Sequence, residues 1–185
     1  MQQIIRHWTM FSAVLLAMGA AWIFLTIPLP GTTTGGEIPA PRQGFLAPDF
    51  SLPDAQGNII RLSALRGQPV LVNFWASWCP PCKAEMPAMQ RVHAEYASQG
   101  LVILAVNTTY QDDEKAALRF LEEYGLTFPV VFDRSGQPAR LYETRALPTS
   151  FFIDADGIIQ EVVVGGPMSE ALLRSQAERL LERMP

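Results

Sequence analysis

Cysteine is scarce in this chain, with two in 185 residues. Two cysteines build no disulfide framework, and one C-x-x-C supplies only half of a four-ligand zinc site. Histidine is equally scarce, and His7 and His93 fit no metal spacing. Runs of Lys and Arg are missing, which argues against an electrostatic footprint for nucleic acid. Charge is absent altogether between Arg6 and Glu37. Of the 14 basic side chains only Arg6 precedes Glu37, so the remaining 13 face 18 acidic ones and residues 37–185 carry a net charge of −5.

Apolar residues make up 49% of the chain, enough for a packed core. Trp8 to Leu29 is 22 residues without a charged side chain. At about 1.5 Å per helical residue it spans a hydrocarbon layer of roughly 30 Å. Residues 1–29 are therefore expected to be one N-terminal transmembrane helix, a signal-anchor. Arg6 and the amino terminus precede it and no positive charge follows until Arg42, which places the N-terminus in the cytoplasm and the rest outside. A cleaved secretory signal is the alternative, and it exports the domain equally. Residues 30–44, rich in Pro, Gly and Thr, are expected to be a flexible linker. A single domain is expected over 45–185.

Within that domain, Phe50–Leu52 and Ile59–Leu62 flank a turn-rich stretch and read as a hairpin. The run Val70-Leu71-Val72-Asn73-Phe74-Trp75 reads as a strand covered on both faces. A helix follows from about Pro80 to Ser98, with Pro80 and Pro81 in its first turn and Pro87 as an interior kink. Leu101–Val106 is a second buried strand, giving a parallel strand–helix–strand unit. Asp112-Asp113-Glu114 is expected to open another helix, acids at its positive end. Phe128–Phe132 is a third strand and Gln137–Tyr142 a short helix. Ser150–Ile153 and Ile158–Val164 form a hairpin around Asp154-Ala155-Asp156-Gly157, which lacks the remainder of a calcium-loop pattern. Ser169 caps a last helix.

Both cysteines sit in Trp78-Cys79-Pro80-Pro81-Cys82, where the apolar strand gives way to the helix. A helix N-terminus favours thiolate there, and the spacing brings the second sulfur within bonding reach of the first. Strand, W-C-x-x-C and helix together resemble the thioredoxin superfamily. The resemblance implies an α/β, thioredoxin-like fold: three layers with a mixed central sheet. It implies an exposed Cys79 as nucleophile and a deeper Cys82 as resolving thiol, with the Cys79–Cys82 disulfide as the oxidised state. Trp78, Pro80, Pro81, Leu147 and Pro148 are then expected to form the substrate-binding surface, with Leu147–Pro148 cis.

Thioredoxins usually carry Asp where Asn73 stands. Asn73 cannot titrate, and Glu85, one helical turn beyond Cys82, is a candidate proton acceptor or modulator of the thiols. Its alternative is a solvated helix glutamate. Asn73, Glu85, the exported anchor and an inserted helix and strand at about 112–132 are similar to the membrane-anchored TlpA/ResA-like reductases, over about residues 45–184. That likeness implies an extracytoplasmic thiol–disulfide oxidoreductase without a cofactor. It implies reduction of a protein disulfide, in apocytochrome c or a copper-site protein, during cytochrome c maturation or related metalloprotein assembly. A membrane thiol-electron transporter would supply the electrons. The competing readings are a disulfide-forming oxidant and a non-enzymatic Cu(I)-binding chaperone. A peroxiredoxin-like peroxidase would need P-x-x-x-T-x-x-C, but Val72 and Ala76 stand at its Pro and Thr positions.

Overall fold

The computed structural model describes residues 38–184, together with Leu16, Met18, Gly19 and Trp22, which are helical. The anchor expected over 1–29 falls largely outside the described residues, as does the linker up to residue 37. Among the described residues no helix is long and apolar enough to cross a membrane. The chain divides into two units, residues 1–34 and 35–185; the second is described below.

Its main-chain pairing begins before Phe45. Pro39 bridges Leu46, Leu46 bridges Ile158, and the Gly44 N–H donates to Ile159 O at 2.8 Å. The hairpin strands β1 (Ser51–Pro53) and β2 (Ile59–Arg61) pair antiparallel as a separate small sheet. Asp54 closes their turn by accepting from the N–H groups of Gln56 and Asn58 at 2.8 Å each.

The main sheet has β3 (Val70–Trp75) at its centre. Every residue of β3 is buried, as expected for a strand with both faces covered. It pairs in parallel with β4 (Val102–Asn107), which pairs in parallel with β5 (Val130–Phe132). On its other side β3 pairs antiparallel with β6 (Thr149–Ile153), and β6 with β7 (Ile159–Val164). The order β5-β4-β3-β6-β7 makes a mixed sheet.

Side chains alternate along β3 and so feed two cores. Leu71 and Trp75 point to the face covered by α1 (Pro80–Tyr96), α2 (Glu114–Glu123) and α4 (Glu170–Leu181), meeting Met89, Val92, Phe120, Ala177 and Leu180. Val70, Val72 and Phe74 point to the opposite face, against Leu52 and Leu62 near the hairpin and Ala139 of α3 (Gln137–Leu141). The layers are helices, sheet, then hairpin and short helix. The inserted helix and strand are α2 and β5, with β5 at the sheet edge.

Two helix starts follow from side-chain oxygens at the N-cap. Asp113 Oδ1 accepts from Ala116 N–H at 2.7 Å, and Ser169 Oγ from Leu172 N–H at 3.2 Å. Helix α1 runs through Pro87 without a break in assignment, then tightens into a 3₁₀ turn ending at Gly100, whose φ of +103° suits glycine.

Candidate active site

The strand-to-helix turn is pinned from one direction. Asp112 reaches back 35 residues, its Oδ2 accepting from Ser77 N–H and its Oδ1 from Ser77 Oγ, both at 2.7 Å. Asn107 Nδ2, at the end of β4, also donates to Asp112, at 2.8 Å. The expectation that Asp112 opens α2 is corrected: Asp113 caps that helix and Asp112 serves the cysteine turn. Trp78 Nε1 donates to Gln111 O at 2.9 Å, which fixes an indole that is 55% exposed. Trp75 is fully buried and packs against Phe120, ring centroids 5.2 Å apart.

Cys79 and Cys82 are joined, with sulfurs 2.14 Å and Cα atoms 5.3 Å apart. Cys79 is the N-cap of α1, and its Sγ accepts from Cys82 N–H at 3.3 Å. Pro80 and Pro81 have no N–H, so Cys82 supplies the main-chain donor to that sulfur. Cys79 is not exposed as expected: it is 2% accessible, and Cys82 is fully buried. Trp78 and Pro80 remain exposed around it. Lys83, next along the helix, is exposed.

Glu85 is fully buried, which overturns the solvated-helix alternative. Its Oε1 accepts from Asn73 Nδ2 at 2.9 Å and its Oε2 from Met168 N–H at 3.1 Å. Burial raises its carboxyl above the usual range, and the two hydrogen bonds offset part of that rise. Asn73 lies directly opposite Ser150 in the β3–β6 register, and Asn73 Nδ2 donates to Ser150 Oγ at 2.9 Å.

The Leu147–Pro148 peptide is cis, one residue before β6. A Cβ on Gly166 would stand 2.7 Å from Pro148 Cγ and 3.0 Å from Glu85 Oε2. Only a glycine lets the 165–168 loop lie against both the proline and the carboxylate. Trp78, Cys79, Pro80 and Pro81 line a cleft of about 320 Å³ together with Tyr110, Gln111 and Thr144 to Leu147. Of the expected substrate-binding residues, Trp78, Pro80, Pro81 and Leu147 line this cleft. Pro148 is buried and does not line it. Asp112, Asn107, Ser150 and Gly166 were not expected to take part in the site. A buried Asn in an apolar strand signals that it needs a partner, but only the strand register names Ser150 as that partner.

The AhpC/TSA family pattern matches residues 44–162, which takes in the cysteine turn and the cis-proline. The chain belongs to the AhpC/TSA family. Among members of this thioredoxin-like family it is similar to the thiol-disulfide oxidoreductase ResA of Geobacillus kaustophilus. The two are 42% identical over 131 residues, covering 71% of this chain and 74% of that protein. It is also 42% identical to the thioredoxin-like protein YneN of Bacillus subtilis, over 67% of this chain and 72% of YneN. Among solved structures, the Chlorobium tepidum protein described as thiol:disulfide interchange protein DsbE superposes with a TM-score of 0.70 at 38% identity. That match covers 76% of this chain and 98% of that one. This AhpC/TSA member is thus a ResA-like thiol–disulfide oxidoreductase with Cys79–Cys82 as its C-x-x-C pair. In dithiol–disulfide exchange one thiolate attacks a substrate sulfur and forms a mixed disulfide. The other attacks in turn, closing the protein disulfide and releasing the substrate as two thiols.

Proposed function

We propose that this chain is a reductase of protein disulfides, working outside the cytoplasm in cytochrome c maturation or related metalloprotein assembly. In this reading residues 1–29 hold it in the cell membrane. Cys79 attacks the client disulfide. Glu85 takes the proton from Cys82, whose thiolate then resolves the mixed disulfide. The client is an apocytochrome c or a copper-site protein. Because disulfides persist in that compartment, reduction needs a continual electron supply from a membrane thiol-electron transporter.

The observation that carries the reducing direction is the poverty of donors around Cys79. A strong oxidant keeps its reduced form stabilised. The helix end favours thiolate in any such site, but here two consecutive prolines remove two main-chain donors and leave Cys82 N–H, at 3.3 Å. A buried carboxylate one turn beyond Cys82 suits the same direction, since it equips the buried resolving thiol to lose its proton.

Trapping tests the roles. Cys82→Ser is expected to accumulate mixed disulfides with the client in native membranes, and Cys79→Ser is not; equal trapping by both variants would sink the assignment. The potential tests the direction. A value toward the thioredoxin end, about −270 mV, is expected, and one near about −120 mV would make the protein an oxidant.

A further inference from the structure

Asn73 is fully buried, yet its Oδ1 has no hydrogen-bond partner. Such orphans are exceptions in folded interiors. Its Nδ2 has two acceptors, Glu85 Oε1 and Ser150 Oγ, each at 2.9 Å. The two ends of an amide are nearly equal in size. A half-turn therefore exchanges donor for acceptor without displacing a neighbour.

Both atoms at the occupied edge can follow that exchange. An ionised carboxylate only accepts, whereas the acid donates its O–H. A serine hydroxyl accepts or donates by rotating. With Glu85 ionised, the observed arrangement satisfies the edge. With a proton on Oε1 it would set O–H against N–H, donor against donor. Oε2 is already engaged by Met168 N–H at 3.1 Å, so a proton arriving there would break that bond.

We propose that Asn73 reverses its amide as Glu85 gains and loses its proton, offering Nδ2 to the carboxylate and Oδ1 to the acid, while Ser150 changes from acceptor to donor. The proposal deepens the reading of Glu85 as the group that exchanges a proton with Cys82, and rests on it. The proton that leaves Cys82 Sγ becomes the O–H on Glu85 Oε1. Asn73 Oδ1 accepts that O–H and the Ser150 O–H together, and Nδ2 moves to the position Oδ1 held. No electron moves in this step.

Asn73 is a positioning residue, acting through Glu85. The groups that touch the carboxyl suit that role. From β3 comes Asn73, and from the 165–168 loop Met168 N–H with Gly166 close by, none of them charged. Among the described residues, no charged side chain contributes to the raised proton affinity of Glu85. Aspartate at 73 would place two carboxylates side by side and force them to share one proton. Leucine would leave the acid and Ser150 facing apolar atoms.

The test uses the full chain in detergent micelles, oxidised so that the cysteines are silent, with ¹³C-labelled glutamate and ¹⁵N-labelled asparagine. On titration, the Asn73 side-chain amide signals are expected to shift with the same midpoint as the Glu85 carboxyl. Their contact to the Ser150 Hβ protons should be present above the midpoint and lost below it. In Asn73→Leu the Glu85 midpoint should move up by about one pH unit or more, the size of one lost hydrogen bond to a charged group. If Glu85 titrates while the amide keeps its Ser150 contact throughout, the amide reversal is overturned and the proton role of Glu85 survives. If Glu85 does not titrate at all, both fall. The wild-type measurement decides even where the leucine variant does not fold.

Discussion

Burial raises the proton affinity of Glu85, and folding stability inherits the sign of that shift. The folded chain holds this proton more tightly than the unfolded chain does. The contribution is therefore complete below the unfolded carboxyl's range and is lost as pH rises through the folded value. Glutamine at this position cannot titrate. Glu85→Gln should match the wild type in thermal melts near about pH 4, exceed it by a growing margin as pH rises toward the folded pKa, and keep a constant margin above it. The same change should slow release of reduced substrate from the mixed disulfide by about 10²-fold at neutral pH, the usual size of a lost acid–base group. Stopped-flow with a fluorescent disulfide client reads that rate. Helical spacing put Glu85 one turn beyond Cys82, and the likeness to the TlpA/ResA-like reductases, not periodicity, made it the candidate proton group. Ser150 and Met168 were not legible, because they reach the same site from 77 residues beyond Asn73 and 83 beyond Glu85. Helical spacing reports neighbours on one element and is silent about contacts made by strand register.

At the scale of elements, the segment between β4 and α2 divides two neighbouring aspartates between two tasks. Asp113 caps α2, and Asp112 holds the turn that presents Cys79. Asp113→Ala should cost about 1 kcal/mol, as lost caps do, and leave thiol reactivity unchanged. Asp112→Ala leaves Ser77 N–H, Ser77 Oγ and Asn107 Nδ2 without their acceptor, and should cost about 2–4 kcal/mol in urea unfolding. It should also shift Trp78 fluorescence, because the indole hangs from Gln111 O beside it. In sequence the two aspartates look alike, both standing just before an amphipathic stripe. Only the return of the chain past Ser77 separates them. Strands β3, β4 and β6, the cysteine helix and the α4 cap were readable from apolar runs and capping residues, which are local signals. The chain before Phe45 was not, since Gly44 pairs with Ile159, and Pro39 bridges Leu46, which in turn bridges the distant Ile158.

Over the whole molecule, one sheet separates chemistry from support. Asn73, Trp75 and Ser150 face the helical layer, while Phe74 faces the other, packed on Tyr142 at 5.3 Å and Phe151 at 6.0 Å. Phe74→Ala should cost about 3–5 kcal/mol of stability by urea unfolding. It should leave the Glu85 titration and the Cys79 reaction rate within about twofold, although it is the immediate neighbour of Asn73. On the helical side, α1 and α4 are joined across their outer faces by Tyr96 Oη to Glu178 at 2.8 Å and by Arg174 to Glu95. These contacts are partly exposed and add little individually.

The near-complete cover over Cys79 has a consequence for traffic between redox pools. A cysteine with 2% accessibility offers little target to a small thiol arriving from solution. Under the proposed function, electrons are expected to enter and leave through a docking partner at the Trp78–Leu147 cleft. The disulfide would then act as an insulated junction, reduced far more slowly by a small thiol than by a docked protein dithiol, which stopped-flow with each reductant checks.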